Sequence, residues 1–222
     1  MIKIDKNRPI KSFVKRKRKL SPNKQDLFTD MWPTYSAQNP FTSHFPLAVE
    51  IGFGMGNTLF NYAKKYPKIN FIGIEVYQPG IISLFRQLEV EPLNNIRVYD
   101  TDAVPILGQS IPDNSLEKVL IFFPDPWQKA RHHKRRLIQP EFVQLLQKKL
   151  KSNGLLHIAT DWQNYAEHIT EVMQNNSNFI AIDPLSLEYV NLRQDRVLTK
   201  FEKRGKNQGH DIHDLLFKVK NA

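Results

Sequence analysis

Apolar residues in this chain fall into short continuous runs, and stretches of helical period separate them. Leu47 to Ile51, Phe71 to Val76, Ile96 to Tyr99, Lys118 to Phe123 and Leu155 to Thr160 hold few polar positions. Such runs read as central strands buried on both faces. Between them, Asn57 to Tyr66 sets Leu59, Tyr62, Ala63 and Tyr66 on one helical face, and Pro79 opens a helix running to about Val90. Pro140 to Leu150 is amphipathic and stops by Asn153-Gly154, and a last helix follows from about Trp162 to Gln174. Strands alternating with helices predict an α/β fold with a doubly wound, mostly parallel sheet. Phe179 to Ile182 and Ile212 to Val219 break the alternation. They predict a closing antiparallel hairpin on the sheet edge, and seven strands in all.

Ahead of Leu47 the pattern is lost. Residues 29 to 46 mix Trp32, Tyr35, Phe41 and Phe45 with Pro33, Pro40 and Pro46, which reads as an aromatic-rich connection over the main domain. Residues 1–40 are accordingly taken as a basic N-terminal arm and connection, and 41–222 as one α/β domain. A chain of 222 residues is long enough for one large core.

Charge changes the picture most. Ten of the 32 Lys and Arg residues lie in the first 24 positions beside one acid, Asp5, leaving 22 basic against 21 acidic residues in the rest. The net charge of +10 is therefore an arm on a nearly neutral body, densest at Lys15 to Lys19. That distribution points to a polyanion, with nucleic acid ahead of an anionic membrane. The chain has no cysteine, which excludes disulfides, thiolate catalysis and Cys-ligated metal. No apolar run approaches a membrane span and no apolar signal core stands at the N-terminus, so a cytoplasmic protein with no membrane partner is expected.

The candidate chemistry sits at strand ends. Glu50-Ile51-Gly52-Phe53-Gly54-Met55-Gly56 lies between the first strand and first helix. Its glycines let the backbone turn tightly and approach a ligand. The spacing is G-x-G-x-G, where a dinucleotide loop has G-x-G-x-x-G. An acid at the strand tip would repel a pyrophosphate but pair with an ammonium, which favours S-adenosyl-L-methionine over NAD. Glu75 at the end of the second strand is placed to accept ribose hydroxyls, and Asp102 after the third to accept from an adenine amine. After the fourth strand comes Pro124-Asp125-Pro126-Trp127, followed by Lys129, Arg131, His132, His133, Lys134, Arg135 and Arg136. Trp127 is a candidate platform for a stacked base.

Three acids after three successive strands resemble the class I S-adenosylmethionine-dependent methyltransferases, a Rossmann-like fold whose last strand is antiparallel. The Pro-Asp-Pro-Trp loop is similar to that of enzymes acting on nucleobase nitrogens. Taken whole, the chain resembles the tRNA (guanine-N7)-methyltransferases. The carrying motifs are the glycine loop, Gly73-Ile74-Glu75-Val76, Phe122 to Trp127 with the basic block, Thr160-Asp161-Trp162, Thr199-Lys200-Phe201-Glu202, and Ser12-Phe13-Val14 in the arm. The resemblance implies methyl transfer from S-adenosyl-L-methionine to N7 of a guanine in the tRNA variable loop. It makes Asp125 catalytic and assigns Glu50, Gly52, Gly54, Gly56, Glu75, Asp102 and Asp125 to the cofactor. Lys129, Asp161, Thr199, Lys200, Phe201 and Glu202 fall to the guanine nucleotide, and Arg131, His132, His133, Lys134, Arg135 and Arg136 to tRNA backbone.

Guanine N7 carries a lone pair and no proton, so the reaction needs alignment and charge management more than a strong base. Asp161 and Glu202 are placed to accept from N1–H and N2–H, which adenine lacks. No His/Asp/Glu set has convincing metal spacing, His210 and His213 included, and no metal is expected. His132 and His133, set among cations, read as solvated or phosphate-facing. A non-catalytic RNA-binding scaffold and a methyltransferase of another RNA or protein are the competing readings. Monomer and homodimer both stay open. Removing residues 1 to 24 is expected to raise KM for tRNA and leave cofactor affinity unchanged.

Overall fold

The computed structural model describes residues 11–13 and 20–221, apart from the side chains of Lys200 and Phe201. The densest part of the basic arm, Lys15 to Lys19, lies outside the described residues.

Seven strands form one sheet in the order β3-β2-β1-β4-β5-β7-β6. β1 (Leu47–Ile51), β2 (Asn70–Ile74), β3 (Ile96–Tyr99), β4 (Leu116–Phe122) and β5 (Leu150–Thr160) are mutually parallel, and β7 (His213–Val219) runs antiparallel to β5. The order reverses between β1 and β4. In open α/β sheets this switch point, outside the carboxyl ends of the strands, is where ligands bind.

Alternation within the buried strands sorts side chains to two sides. Val49, Ile51, Ile72, Ile74, Val119 and Ile121 face the cluster that also holds residues of α4 (Ala103–Gln109), α5 (Pro140–Lys149) and α6 (Gln163–Gln174). Ala48, Phe71, Val98 and Leu120 face the cluster shared with α1 (Pro22–Tyr35), α2 (Asn57–Lys65) and α3 (Gln78–Val90). Both faces are dry, as the unbroken apolar runs require.

Four readings of the sequence need correction. Residues 22–35 form a helix, α1, where an aperiodic connection was expected. It does lie over the domain as expected: Phe28, Trp32 and Tyr35 gather around Phe85 of α3 with ring centroids 5.8 to 6.4 Å apart. α4 was not foreseen. β5 begins at Leu150 and runs past Asn153-Gly154 through an irregularity: Asn153 takes a left-handed φ of 62°, and the pairing with β4 steps from Leu150 to Leu155. Lastly, β6 (Phe179–Ala181) and β7 pair antiparallel but are no hairpin: α7 (Leu187–Asp195) and α8 (Lys200–Asn207) lie between them, and β7 is inserted between β5 and β6.

Candidate active site

The carboxyl ends of β1, β2, β3 and β4 enclose a cavity of about 310 Å³ that brings together Gly52, Gly54, Glu75, Asp102 and Asp125. Its floor is the glycine loop. Gly52, Gly54 and Gly56 have φ of 71°, 56° and 82°, a region that residues with a Cβ enter at a cost. A helical glycine fixes this loop from behind. A Cβ on Gly80 would lie 1.9 Å from the carbonyl oxygen of Gly54, so only glycine lets α3 pack there. Glycine inside a helix costs ~1 kcal/mol against alanine. That cost is the signal by which the sequence marks Gly80.

Glu75 lies just past the end of β2. Its Oε2 accepts from Gly54 N at 2.8 Å, and its Oε1 from Val76 N at 2.7 Å and Tyr77 N at 2.9 Å. Burial first, with the charge of Asp100 adding to it, raises this carboxyl against the lowering by those three bonds. A carboxylate has about four acceptor sites, so Glu75 retains room for about one hydroxyl of a ribose. Asp102 caps α4 by accepting from Val104 N at 3.2 Å while lining the cavity with Thr101.

Glu50 is 2% exposed on the α2–α3 side of β1, one residue before the cavity-lining Ile51. Among the described residues its Oε2 is buried without a hydrogen-bond partner. Burial first, and the charge of Glu75 second, push its carboxyl up to about 8. An orphaned buried carboxylate is costly. A cation placed against it would restore the ionised form, and the ammonium of S-adenosyl-L-methionine fits that need.

The acceptor side of the cavity is built by residues 122–127. Phe123 donates its N–H to Ala159 O at 2.7 Å, which carries the β4–β5 ladder one step past the strand. Phe123 and Trp127 both take left-handed φ, 54° and 47°. Two such non-glycine residues in one short loop store strain, which persists only where surroundings hold it.

Arg136 supplies much of that hold. It is 3% exposed and donates to Pro126 O at 3.0 Å, to Asn164 Oδ1 at 2.7 Å and to Asn164 O at 3.4 Å, over the ring of Tyr165. Its Nη2 is also 3.1 Å from His133 Nε2, which must then act as acceptor. This departs from the expected phosphate contact, because the guanidinium is buried and four of its five N–H groups are engaged inside the protein. Arg136→Ala should cost about 2–4 kcal/mol. Thermal unfolding should then fall by roughly 5–15 °C; an unchanged melting temperature would refute this strut.

Arg135 is partly spent too. Its guanidinium stacks 3.8 Å from the centroid of the Trp127 ring and donates to Lys11 O and Phe13 O, both at 3.2 Å. Trp127 Nε1 donates to Ser12 O at 2.9 Å. One face of the expected base platform is therefore covered by Arg135. Ser12 and Phe13 of the arm thus stand at the wall of the cavity. Trp127→Phe, which removes the bond to Ser12, should weaken cofactor binding about 3- to 10-fold. Calorimetry without RNA checks this, and an unchanged affinity would show that residues 11–13 do not help close the cavity. Lys129, Arg131 and Lys134 stay exposed, and His132 is half-buried, its imidazolium disfavoured by that burial first and by the surrounding cations next.

Asp161 follows β5 and lines a neighbouring groove of about 360 Å³ with Trp162, Asn164, His210 and His213. Thr199 caps α8, accepting from Glu202 N at 3.0 Å. Glu202 itself is buried. Arg196 holds its Oε2 at 2.6 Å and Lys206 its Oε1 at 2.8 Å. Burial would raise this carboxyl, but Lys206 and Arg196 together hold it below the usual carboxylate range. Arg196 also makes a two-point contact with Asp214 at 2.8 and 3.0 Å, and Asp214 accepts from His157 at 2.8 Å. The guanidinium lies 5.6 Å from the ring centroids of both Phe122 and Phe123. This buried ion cluster ties α8 and β7 to the base of the strained loop. Its central residue, Arg196, lay in a stretch that the sequence presents only as polar.

Residues 44–215 match a family model described as "Putative methyltransferase". A curated tRNA (guanine-N(7)-)-methyltransferase of Idiomarina loihiensis is 44% identical, with 97% of this chain and 91% of that protein covered. One of Shewanella amazonensis is 45% identical, with 95% and 92% covered. Among solved structures, the plantazolicin methyltransferase BpumL in complex with a pentazolic desmethylPZN analog and SAH aligns with a TM-score of 0.52 at 12% identity, covering 90% of this chain and 92% of that one. The [4+2]-cyclase SpnF aligns at 0.54 and 14% identity, covering 89% and 81%. At such identity the likeness shows the fold alone, and a cyclase among the neighbours illustrates that fold does not dictate chemistry.

Proposed function

The chain belongs to the tRNA (guanine-N(7)-)-methyltransferase family, and from that premise we propose how its residues carry out the reaction. It transfers a methyl group from S-adenosyl-L-methionine to N7 of a guanine in tRNA, forming N7-methylguanosine. The cofactor brings a sulfonium methyl, and N7 brings a lone pair that no proton blocks.

In this reading Glu50 ionises to pair with the cofactor's ammonium, and the glycine loop follows its backbone. Glu75 accepts from the ribose and Asp102 from the adenine end. Asp125, on the wall of the same cavity, would offset the positive charge that a bound sulfonium passes to the purine. Asp161 accepts from N1–H and N2–H of the guanine. Thr199 to Glu202 frame the nucleotide, with Glu202 acting through the ion cluster, since both its oxygens are engaged. Lys129, Arg131 and Lys134, exposed beside the loop, meet tRNA phosphates together with the basic arm. The observation that carries the reading is one cavity in which the glycine loop, two strand-end acids and Asp125 meet.

The protein works in the cytoplasm with its tRNA substrate in this reading. Among the described residues no helix is long and apolar enough to cross a membrane. Every residue assigned comes from one chain, so monomer and homodimer both satisfy it. Tritium transfer from labelled cofactor, offered total RNA and total protein in parallel, tests the substrate class. Label in tRNA alone is expected, and label in protein would contradict it.

A further inference from the structure

We propose that His210 is a positioning residue for Asp161: with Gly205 it fixes the plane of the carboxylate that selects the target guanine. This rests on the reading of Asp161 given above. Accepting from N1–H and N2–H together requires both carboxylate oxygens to lie in the plane of the base. The terminal torsion of an aspartate is broad and does not choose that plane by itself. Something must hold it.

The structure sets two neighbours beside it that are placed to do so. A Cβ on Gly205 would lie 2.9 Å from both the Cβ and Oδ2 of Asp161, so the α8 backbone presses directly on the carboxylate and only glycine fits between. Beside the same oxygen, His210 Nδ1 lies 3.6 Å from Asp161 Oδ2. That is just beyond a hydrogen bond, and a small rotation of either side chain closes it. Among the described residues this Nδ1 is buried and has no hydrogen-bond partner, although a third of the side chain is exposed. With its proton on Nδ1, the ring is placed to donate to that carboxylate.

The two neighbours are hydrogen-bonded to each other. His210 N donates to Gly205 O at 3.0 Å, and the imidazole stands edge-on to Trp162, 6.0 Å between centroids. α8 is itself anchored through Glu202, Arg196 and Asp214. The ion cluster thus has a route to the Asp161 carboxylate through Gly205 and His210, besides the one along β5 from His157.

The test uses tRNA carrying either guanosine or inosine at the target position. Inosine keeps N7 and N1–H and lacks the 2-amino group, so a carboxylate held in plane distinguishes the two while a rotating one does so poorly. His210→Phe keeps the ring against Trp162 and removes the donor. It should lower the guanosine-over-inosine ratio of kcat/KM by about tenfold, the size of one hydrogen bond to a charged group, with cofactor affinity unchanged. His210→Asn puts an amide N–H near the place of Nδ1 and should restore most of the ratio. Gly205→Ala, which leaves the imidazole in place and crowds the carboxylate, should lower it as well. Asp161→Asn is run beside them. If it loses the preference while His210→Phe keeps it in full, the positioning role is wrong and the reading of Asp161 stands. If Asp161→Asn keeps the preference, the reading of Asp161 fails and takes this proposal with it.

Discussion

Replacing Asp125 with asparagine should slow single-turnover methyl transfer to tRNA by about 10²- to 10³-fold, the usual loss when a preorganised charge-stabilising group is removed from a reacting centre. Asparagine keeps the size of the side chain and one acceptor oxygen, so cofactor affinity should change much less than the rate. Since N7 has no proton to remove, that loss measures charge and alignment, not base catalysis. The loop is suited to alignment. Phe123 and Trp127 are held in left-handed conformations at its two ends, and Arg136 pins Pro126 between Asp125 and Trp127. A variant with the full single-turnover rate would reduce Asp125 to a lining residue.

Cofactor binding should release close to one proton near neutral pH. The Glu50 carboxyl, pushed up to about 8 by burial and by Glu75, is mostly protonated at pH 7, and pairing with an ammonium requires its ionised form. Affinity should therefore rise by up to about tenfold per pH unit between pH 6 and 8 and level off above. Calorimetry in buffers of different ionisation heat measures the released proton directly. Glu50→Gln should abolish the release and weaken binding by about 10²-fold or more, as loss of a desolvated charge partner does. Wild-type binding without proton release would contradict the assignment. The same shift has a second sign. Without cofactor the folded state holds this proton more tightly than the unfolded state, whose carboxyl lies near 4.5. The Glu50 contribution is thus fully present below pH 4.5 and is lost as pH rises through about 8.

What hydrophobic pattern governs was legible in the chain. β1 to β5 are buried on both faces, so their apolar runs located them, with β3 and β1 matched to the residue. Helices held by other means were missed. α8 has almost no apolar residues and stands on ions and a cap, so no apolar stripe marks it. Its Thr199-x-x-Glu202 signature was nevertheless a readable capping-box sequence. α1 carries Pro33 inside it, which hid it among the aromatic residues around it. In the basic block, sequence shows charge and not where charge is spent. Arg131 and Lys134 are exposed, while Arg136 is consumed by the loop and Arg135 by Trp127 and the arm. Likewise Glu202 reads as a free acid in sequence, and only packing shows that Arg196 and Lys206 already hold it.

The most direct test of the whole account is to incubate the protein with unmodified tRNA and S-adenosyl-L-methionine and map the methylated nucleotide by digestion and mass spectrometry. One N7-methylguanosine in the variable loop is the predicted product, strongly reduced with the Asp125→Asn protein. Methylation at another atom or on another base, or no methylated nucleotide at all, would contradict it.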